Sequence, residues 1–256
     1  MNGYLDRFNL SGRVALVTGA SEGIGRDLSL GLASAGADMI LASRREQQLN
    51  EVKAEIEKIG RRAEVFVLDV CRVDNIQALK DFVLDRFDRL DVLVNNAGYT
   101  VTKPAWDITE EDWDKTVDTS FKGLFFCCRI LGAVMRDQGY GKIINLSSTF
   151  SRSTVLMRSI YAGVKAGVSH LTEALAVEWA PHGIRVNALA PTAVNTPSRA
   201  ETLTGDILKM VLSRIPLGRL AEPDDLITAA IYLASPASDF VTGQTLFVDG
   251  GWVAKG

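Results

Sequence analysis

Seven short runs punctuate this chain: RVALVTGA, ADMILAS, AEVFVLDV, LDVLVNNAG, GKIINLSS, GIRVNALAP and TLFVDGG. Each is apolar at nearly every successive position, so as a strand it has no face to give to water and must be covered on both sides. Parallel strands need a crossover of about a dozen or more residues, usually a helix. The stretches between the runs supply such helices: one opening near Gly23, EQQLNEVKAEIEKIG stopped by Gly60, Val73 to Asp88, Glu111 to Asp137, Tyr161 to Ala180, and PDDLITAAIYLAS. The pattern predicts an α/β fold, a doubly wound seven-stranded parallel sheet with helices on both faces. No repeat or break in composition divides the chain, so residues 1–256 are expected to form one domain.

Composition narrows the classes. The 256 residues are 47% hydrophobic and 23% charged with a net charge of -3, which leaves no basic footprint for nucleic acid or an anionic membrane. No stretch of about 18 uninterrupted apolar residues occurs, and the N-terminal MNGYLDRFNLSGR lacks an apolar signal core. The three cysteines, Cys71, Cys127 and Cys128, fit neither a disulfide framework nor zinc spacing. The two histidines, His170 and His182, lack a carboxylate or Cys partner at ligand spacing, so no metal is expected. A soluble protein of the reducing cytoplasm, with buried thiols, is the expectation.

TGASEGIG follows the first strand directly and carries Gly19, Ser21, Gly23, Ile24 and Gly25 at a strand-to-helix turn. There, backbone N–H groups and the helix dipole can hold a pyrophosphate. The spacing is G-x-x-x-G-x-G. With NNAG at Asn95 to Gly98 and FVTGQTLFVDGGW near the C-terminus, it makes the chain resemble the short-chain dehydrogenase/reductase family from about Leu10 to Trp252. The resemblance implies a Rossmann-like domain. In it, Asp69 and Val70 lie at the adenine, Asn96, Ala97 and Gly98 form the floor under adenine and ribose, and Pro191, Val194 and Thr196 frame the nicotinamide. After the second strand the chain reads Ser43, Arg44 and Arg45 where an acidic residue would select a ribose 2′-hydroxyl. Guanidinium groups suit a 2′-phosphate, so NADP(H) is expected to be preferred, with NAD(H) not excluded because Glu22 weakens phosphate attraction.

SIYAGVKAGVSH places Tyr161 and Lys165 one helical turn apart, and Ser148 lies thirteen residues before the tyrosine. The resemblance matches these three to the family's catalytic serine, tyrosine and lysine. Hydride transfer to a carbonyl carbon builds charge on oxygen, which must gain a proton. A phenol with a pKa of about 10 is a poor acid at neutral pH unless an ammonium stabilises its anion. Two positions depart from the family pattern. Ser120 stands where Asn usually helps a proton relay, so it is either a relay residue or a helix-packing residue. Thr192 follows Pro191 where Gly is usual, which predicts an ordinary backbone there.

Three variable stretches, YTVTKPAW, TFSRSTVLMR and SRAETLTGDILKMVLSRIP, are expected to shape the substrate pocket, the last as a helical lid. Arg152, Arg158 and Arg199 are either carboxylate or phosphate ligands or solvated charges; Phe150, Leu156 and Met157 suit an apolar wall. Phe121, Phe125, Val168 and Leu171 either face the chain's own sheet or pair helices across a two-fold axis, and the resemblance implies a homotetramer. The expected partner is a small carbonyl or alcohol substrate. The front half resembles gluconate 5-dehydrogenase-type members, which suggests a sugar acid or polyol. A 3-oxoacyl thioester or small ketone is the alternative, and a dinucleotide-binding sensor or scaffold is the alternative of another class.

Overall fold

The structure is a computed structural model and describes residues 3–196 and 203–255. Seven strands, β1 (Val14–Thr18), β2 (Asp38–Ser43), β3 (Ala63–Val67), β4 (Val92–Asn95), β5 (Gly141–Leu146), β6 (Ile184–Pro191) and β7 (Thr245–Val248), form one sheet in the order β3-β2-β1-β4-β5-β6-β7. Every neighbouring pair is parallel. The helices are α1 (Gly23–Ser34), α2 (Glu46–Lys58), α3 (Val73–Phe87), α4 (Glu110–Val117), α5 (Gly123–Gln138), α6 (Ser159–Trp179), α7 (Gly205–Arg214) and α8 (Pro223–Ala234). The expected Rossmann-like architecture is the observed one.

Alternation along β1 explains why its run is apolar throughout. Val14 and Leu16 join a core with Ile76, Leu79, Leu131 and Val168 from α3, α5 and α6. Ala15 and Val17 join the opposite core with Leu28, Leu49, Val52 and Leu226 from α1, α2 and α8. Each face of the sheet is thus sealed by its own helical layer.

The single helix expected over Glu111 to Asp137 is instead α4 and α5 joined by a π-helical turn, Asp118–Lys122. Helical periodicity cannot distinguish one inserted residue, and π-turns often mark functional sites. Thr109 starts α4 with a reciprocal box, its hydroxyl accepting from the Asp112 N–H while the Asp112 carboxylate accepts from the Thr109 N–H. Gly139, at φ 71°, ends α5. The expected lid segment is partly outside the described residues, and its later portion forms α7.

Candidate active site

Parallel pairing brings the carboxyl ends of all seven strands to one edge. Thr18 lies beside Ala42 and Asn95, Asn95 beside Asn145, and Leu146 beside Leu189. The chain crosses from one half of the sheet to the other between β1 and β4, which is where open α/β sheets bind ligands. A cavity of about 1610 Å³ lies along this edge.

Gly19, Ser21, Gly23, Ile24 and Gly25 line its near end. Gly19 and Gly23 have φ of 69° and 53°, the left-handed region that favours glycine. At Gly25 a Cβ would overlap the Gly19 carbonyl oxygen and the Asn96 amide nitrogen, so the turn and helix close on each other only without a side chain. Asn96 Nδ2 donates to the carbonyls of Thr18 and Gly19 at 3.0 and 3.2 Å, while Thr18 Oγ1 accepts from the N–H groups of Asn96 and Ala97. The two turns are stitched together, leaving Ala97 and Gly98 on the cavity floor.

Ser43, Arg44, Arg45, Asp69 and Val70 line the same end. Arg45 grips Glu22 with both terminal nitrogens, at 2.5 and 2.7 Å, and this bond raises its pKa. The negative charge expected to repel a phosphate is thereby compensated. Arg44 has no ion-pair partner among the described residues. The Asp69 carboxylate accepts from the Cys71 N–H at 3.0 Å, fixing the loop after β3.

Ser148 follows β5 and caps a short turn, its Oγ accepting from the Phe150 N–H at 3.2 Å. Tyr161 lies in the first turn of α6 and Lys165 one turn further on, both on the cavity wall with Ser148. The Lys165 Nζ is 5.6 Å from the Tyr161 ring centre and donates to the Leu146 carbonyl. Burial lowers the Lys165 pKa to about 8, so it is still an ammonium at neutral pH.

Ser120 does not line the cavity. It is buried in the π-turn, where its hydroxyl accepts from the Tyr99 N–H at 2.9 Å and donates to the Tyr99 carbonyl at 3.0 Å. Of the two expected roles this geometry matches helix packing: the hydroxyl is shorter than an Asn side chain, and its one proton is spent on the Tyr99 carbonyl. Pro191, Val194 and Thr196 do line the cavity, and the segment is held by Asn195 N–H to Ala221 carbonyl and Ala221 N–H to Ala193 carbonyl bonds. Thr192 has ordinary backbone geometry, because Asp88 and Met157 are the non-glycine residues with positive φ among those described.

At the far end the arginines separate. Arg158 and Arg214 line the cavity, whereas Arg152 lies over the Phe247 ring and lines a different cavity between α6 and β7. Arg199 is outside the described residues. Phe150, Leu156 and Met157 contribute the expected apolar wall. His170 has a carboxylate neighbour after all, its Nδ1 lying 3.1 Å from Glu173 on the exposed face of α6. Among the described residues no three His, Cys, Asp or Glu side chains converge as a metal site would require.

The enoyl-(acyl carrier protein) reductase family model matches residues 19–253. A 2-dehydro-3-deoxy-D-gluconate 5-dehydrogenase from Bacillus subtilis is 40% identical over 261 residues, covering 99% of this chain and 100% of that protein. This chain belongs to the short-chain dehydrogenase/reductase family. An NAD-dependent glycerol dehydrogenase from Listeria innocua is 33% identical over 99% of this chain and 98% of that protein. Among solved structures, a gluconate 5-dehydrogenase from Burkholderia cenocepacia in complex with NADP and tartrate superposes with a TM-score of 0.94. It is 38% identical and covers 98% of this chain and 99% of that one.

A short-chain dehydrogenase/reductase is an NAD(P)-dependent oxidoreductase acting on a small molecule, and this is the chain's activity. No described helix is long and apolar enough to cross a membrane. Thr100, Arg214 and Trp252 line the cavity from stretches named above, in which these residues were not singled out. Trp252 ends the recognised C-terminal motif and folds back over Phe150, ring centres 6.3 Å apart, with its indole N–H donating to Ser153 Oγ at 2.9 Å. The GGW ending was its signal; Thr100 and Arg214 were signalled by their place in the first and last of the pocket-shaping stretches.

Proposed function

We propose that the chain is an NADP(H)-preferring oxidoreductase that interconverts a ketone and a secondary alcohol on a sugar acid or polyol, with Tyr161 as the general acid and base. The observation that carries this reading is Tyr161 with a buried ammonium one turn away, beside Ser148, on the cavity that the glycine turn opens. The fit to a dinucleotide rests on the cradle itself. Gly98 meets nothing closer than 3.6 Å at its missing Cβ, and Gly23 meets only Thr196 at 3.9 Å, so backbone is presented with space above it. The backbone around Gly19 to Gly25 would hold the pyrophosphate, and Asp69 and Asn96 to Gly98 the adenosine. Pro191, Val194 and Thr196 would hold the nicotinamide ring, which when bound supplies or accepts the hydride.

In the reducing direction the Tyr161 hydroxyl gives its proton to the substrate oxygen as the carbonyl carbon gains the hydride, and the tyrosine is left as phenolate. The Lys165 ammonium stabilises that negative charge in a water-poor setting, and the Ser148 hydroxyl donates a hydrogen bond to the substrate oxygen. Oxidation runs the same proton back. Ser120 acts as a positioning residue through Tyr99.

Arg44, with Arg45 offsetting Glu22, supports the NADP(H) preference, as does the NADP held by the Burkholderia relative; the Listeria relative keeps NAD(H) as the second cofactor. The gluconate names of the relatives support the sugar acid. A 3-oxoacyl thioester or small ketone is the second reading, favoured by the exposed Leu156, Met157, Ile207 and Met210 around the cavity. Residues 1–256 work as one dinucleotide-binding and catalytic unit, a cytoplasmic homotetramer. Val168 faces the chain's own core, but Phe125 and Val177, 36% and 80% exposed, are left on α5 and α6 for pairing. A substrate panel followed at the nicotinamide absorbance, with both cofactors and in both directions, tests the assignment. Turnover confined to 3-oxoacyl thioesters overturns the sugar-acid substrate, and higher kcat/KM with NADH overturns the cofactor. Light scattering tests the tetramer.

A further inference from the structure

Charge is distributed unevenly along the cavity. Its acidic lining residues are Glu22 and Asp69, both at the nucleotide end, and Glu22 is already gripped by Arg45. The substrate end carries cations and no carboxylate among the described residues: Lys165, Arg158 and Arg214. The first two are engaged. Lys165 is buried against the Leu146 carbonyl beside Tyr161, where the proton moves, and Arg158 donates to Thr100 Oγ1 at 2.9 Å.

Arg214 is differently placed. Ile207, Met210, Val211 and Arg214 line the cavity from α7 at the i, i+3, i+4, i+7 spacing of one helical face. Three of them are apolar, and the fourth puts a half-buried guanidinium where another apolar side chain would complete the stripe. A cation in the last turn of a helix commonly bonds the final carbonyls. This one makes no hydrogen bond or ion pair among the described residues; it lies over Trp252, its guanidinium carbon 4.9 Å from the ring centre. Its five N–H donors are unspent, and they form the planar fork that matches a carboxylate.

Trp252 is a fixed platform for that fork. Its indole N–H donates to Ser153 Oγ at 2.9 Å, its ring meets Phe150, and Asp249 accepts from the N–H groups of Gly251 and Val253 on either side, each at 2.9 Å. The same turn is pinned to the end of α7. The Leu217 N–H donates to the Gly250 carbonyl at 3.1 Å, and Lys255 Nζ donates to the Ser213 carbonyl at 2.6 Å. Phe150 in turn meets Tyr161, with ring centres 6.0 Å apart. The reacting phenol, two aromatic rings and the guanidinium thus follow one another along the wall. Such a wall suits a substrate with its carbonyl towards one end and a negative charge towards the other.

We propose that Arg214, laid on the Trp252 indole, holds the carboxylate of the substrate, with Trp252 as the positioning residue; this rests on the sugar-acid reading and names the group that selects the acid. Stacking fixes the plane of the guanidinium and leaves its edge for the two carboxylate oxygens. Arg214 thereby separates acids from neutral ketones with the same skeleton.

The test uses the full chain with NADPH and two ketones, 5-keto-D-gluconate and L-sorbose, which differ in a carboxylate against a hydroxymethyl group. Calorimetric binding of D-gluconate to the NADPH-loaded protein gives a readout without turnover. Removing one partner of a charge-assisted pair is expected to lower the acid-to-neutral ratio in kcat/KM by about 30–100-fold in Arg214→Met, mainly through KM. Arg214→Lys keeps the charge but not the stacked fork and lowers it about tenfold. Trp252→Leu lowers it about threefold to tenfold, whereas Trp252→Phe, which keeps an aromatic face, stays within about twofold of wild type. D-Gluconate binding weakens in the same order. NADPH affinity, read by fluorescence, reports whether each variant is folded, and Arg214→Lys carries the test if Arg214→Met does not fold. An acid preference kept within twofold in the folded Arg214 variants overturns the role of Arg214 and leaves the sugar-acid reading standing. Equal wild-type use of both ketones overturns Arg214 as a selector. Wild-type protein that reduces neither ketone but binds D-gluconate in an Arg214-dependent way overturns the sugar-acid substrate and supports the anion site. Wild-type protein that neither reduces the ketones nor binds D-gluconate overturns both.

Discussion

At one end of the cavity, Gly19, Gly23, Gly25 and Asn96 to Gly98 belong to two turns that directly continue β1 and β4, and they present mostly backbone. At the other end, Thr100, Phe150, Arg158, Arg214 and Trp252 come from segments far apart in sequence and present side chains. The first end recognises a pyrophosphate and ribose, and backbone geometry forces particular residue types at fixed spacing. The second must fit a particular small molecule, and many side-chain sets can line such a wall. The reacting trio joins the two ends, since Lys165 and Tyr161 belong to a helix packed on the same sheet.

The sharpest way to break this division is at the joint. Tyr161→Phe removes a proton and little volume, so kcat is expected to fall by about a thousandfold or more while NADPH binds within about threefold of wild type. Steady-state rates and fluorescence titration measure the two. A fall of less than about tenfold in kcat would place the proton transfer elsewhere.

Next come the glycines, which separate steric closure from ligand space within the nucleotide end. Gly25→Ala drives a methyl group into the Gly19 carbonyl and Asn96, and it is expected to lower both melting temperature and NADPH affinity, the latter by about 30-fold or more. Gly98→Ala meets only ordinary contacts from 3.6 Å, so the free protein keeps its melting temperature within about 2 °C while NADPH affinity falls about tenfold. Equal destabilisation of both free variants would show that Gly98, too, serves packing.

A third effect lies at the 2′ position. Arg44→Ala is expected to lower the NADPH-to-NADH ratio in kcat/KM by about tenfold or more. Arg45→Ala lowers it as well by exposing Glu22, and adding Glu22→Gln restores part of the loss. No restoration in the double variant would mean that Arg45 touches phosphate directly instead of compensating Glu22.

These experiments also mark how far sequence reached. The seven parallel strands and the two covered faces follow from the apolar runs and the helices between them, whereas the strand order came only with the fold. Gly19, Gly25 and Gly98 were readable because a side chain there would collide with backbone or occupy the ligand's place. Ser120 was not: its role depends on a π-turn that helical periodicity conceals, and on Tyr99, 21 residues away. The Arg45–Glu22 pair was equally hidden, because two charges 23 residues apart looked like opposing influences until the fold made them partners. Ser120→Ala sharpens that lesson. It leaves the Tyr99 N–H and carbonyl without their buried partner and is expected to cost about 1–3 kcal/mol in urea unfolding. A loss below about 0.5 kcal/mol would assign the anchoring of Tyr99 to other contacts.

The least conspicuous contrast is in how each end treats stability. At the nucleotide end two polar side chains are compensated, Asn96 by two carbonyls and Glu22 by Arg45. At the reacting end Lys165 is buried with its pKa down at about 8, against 10.5 for the ordinary group. Between those values the unfolded chain binds the proton more tightly than the folded one, so folding stability from this residue rises as pH goes from about 8 to 10.5. Below about 8 the fold carries the full penalty of a buried charge. Lys165→Met abolishes this pH dependence, so the variant is expected to exceed wild type in urea midpoint at pH 7, by a margin that shrinks by pH 9.5. Cofactor-free protein is required for the comparison, because a bound ligand would add its own linkage. A margin that is constant across the two pH values would mean that the ammonium is not destabilised by its site, and that the reacting end is as well compensated as the nucleotide end.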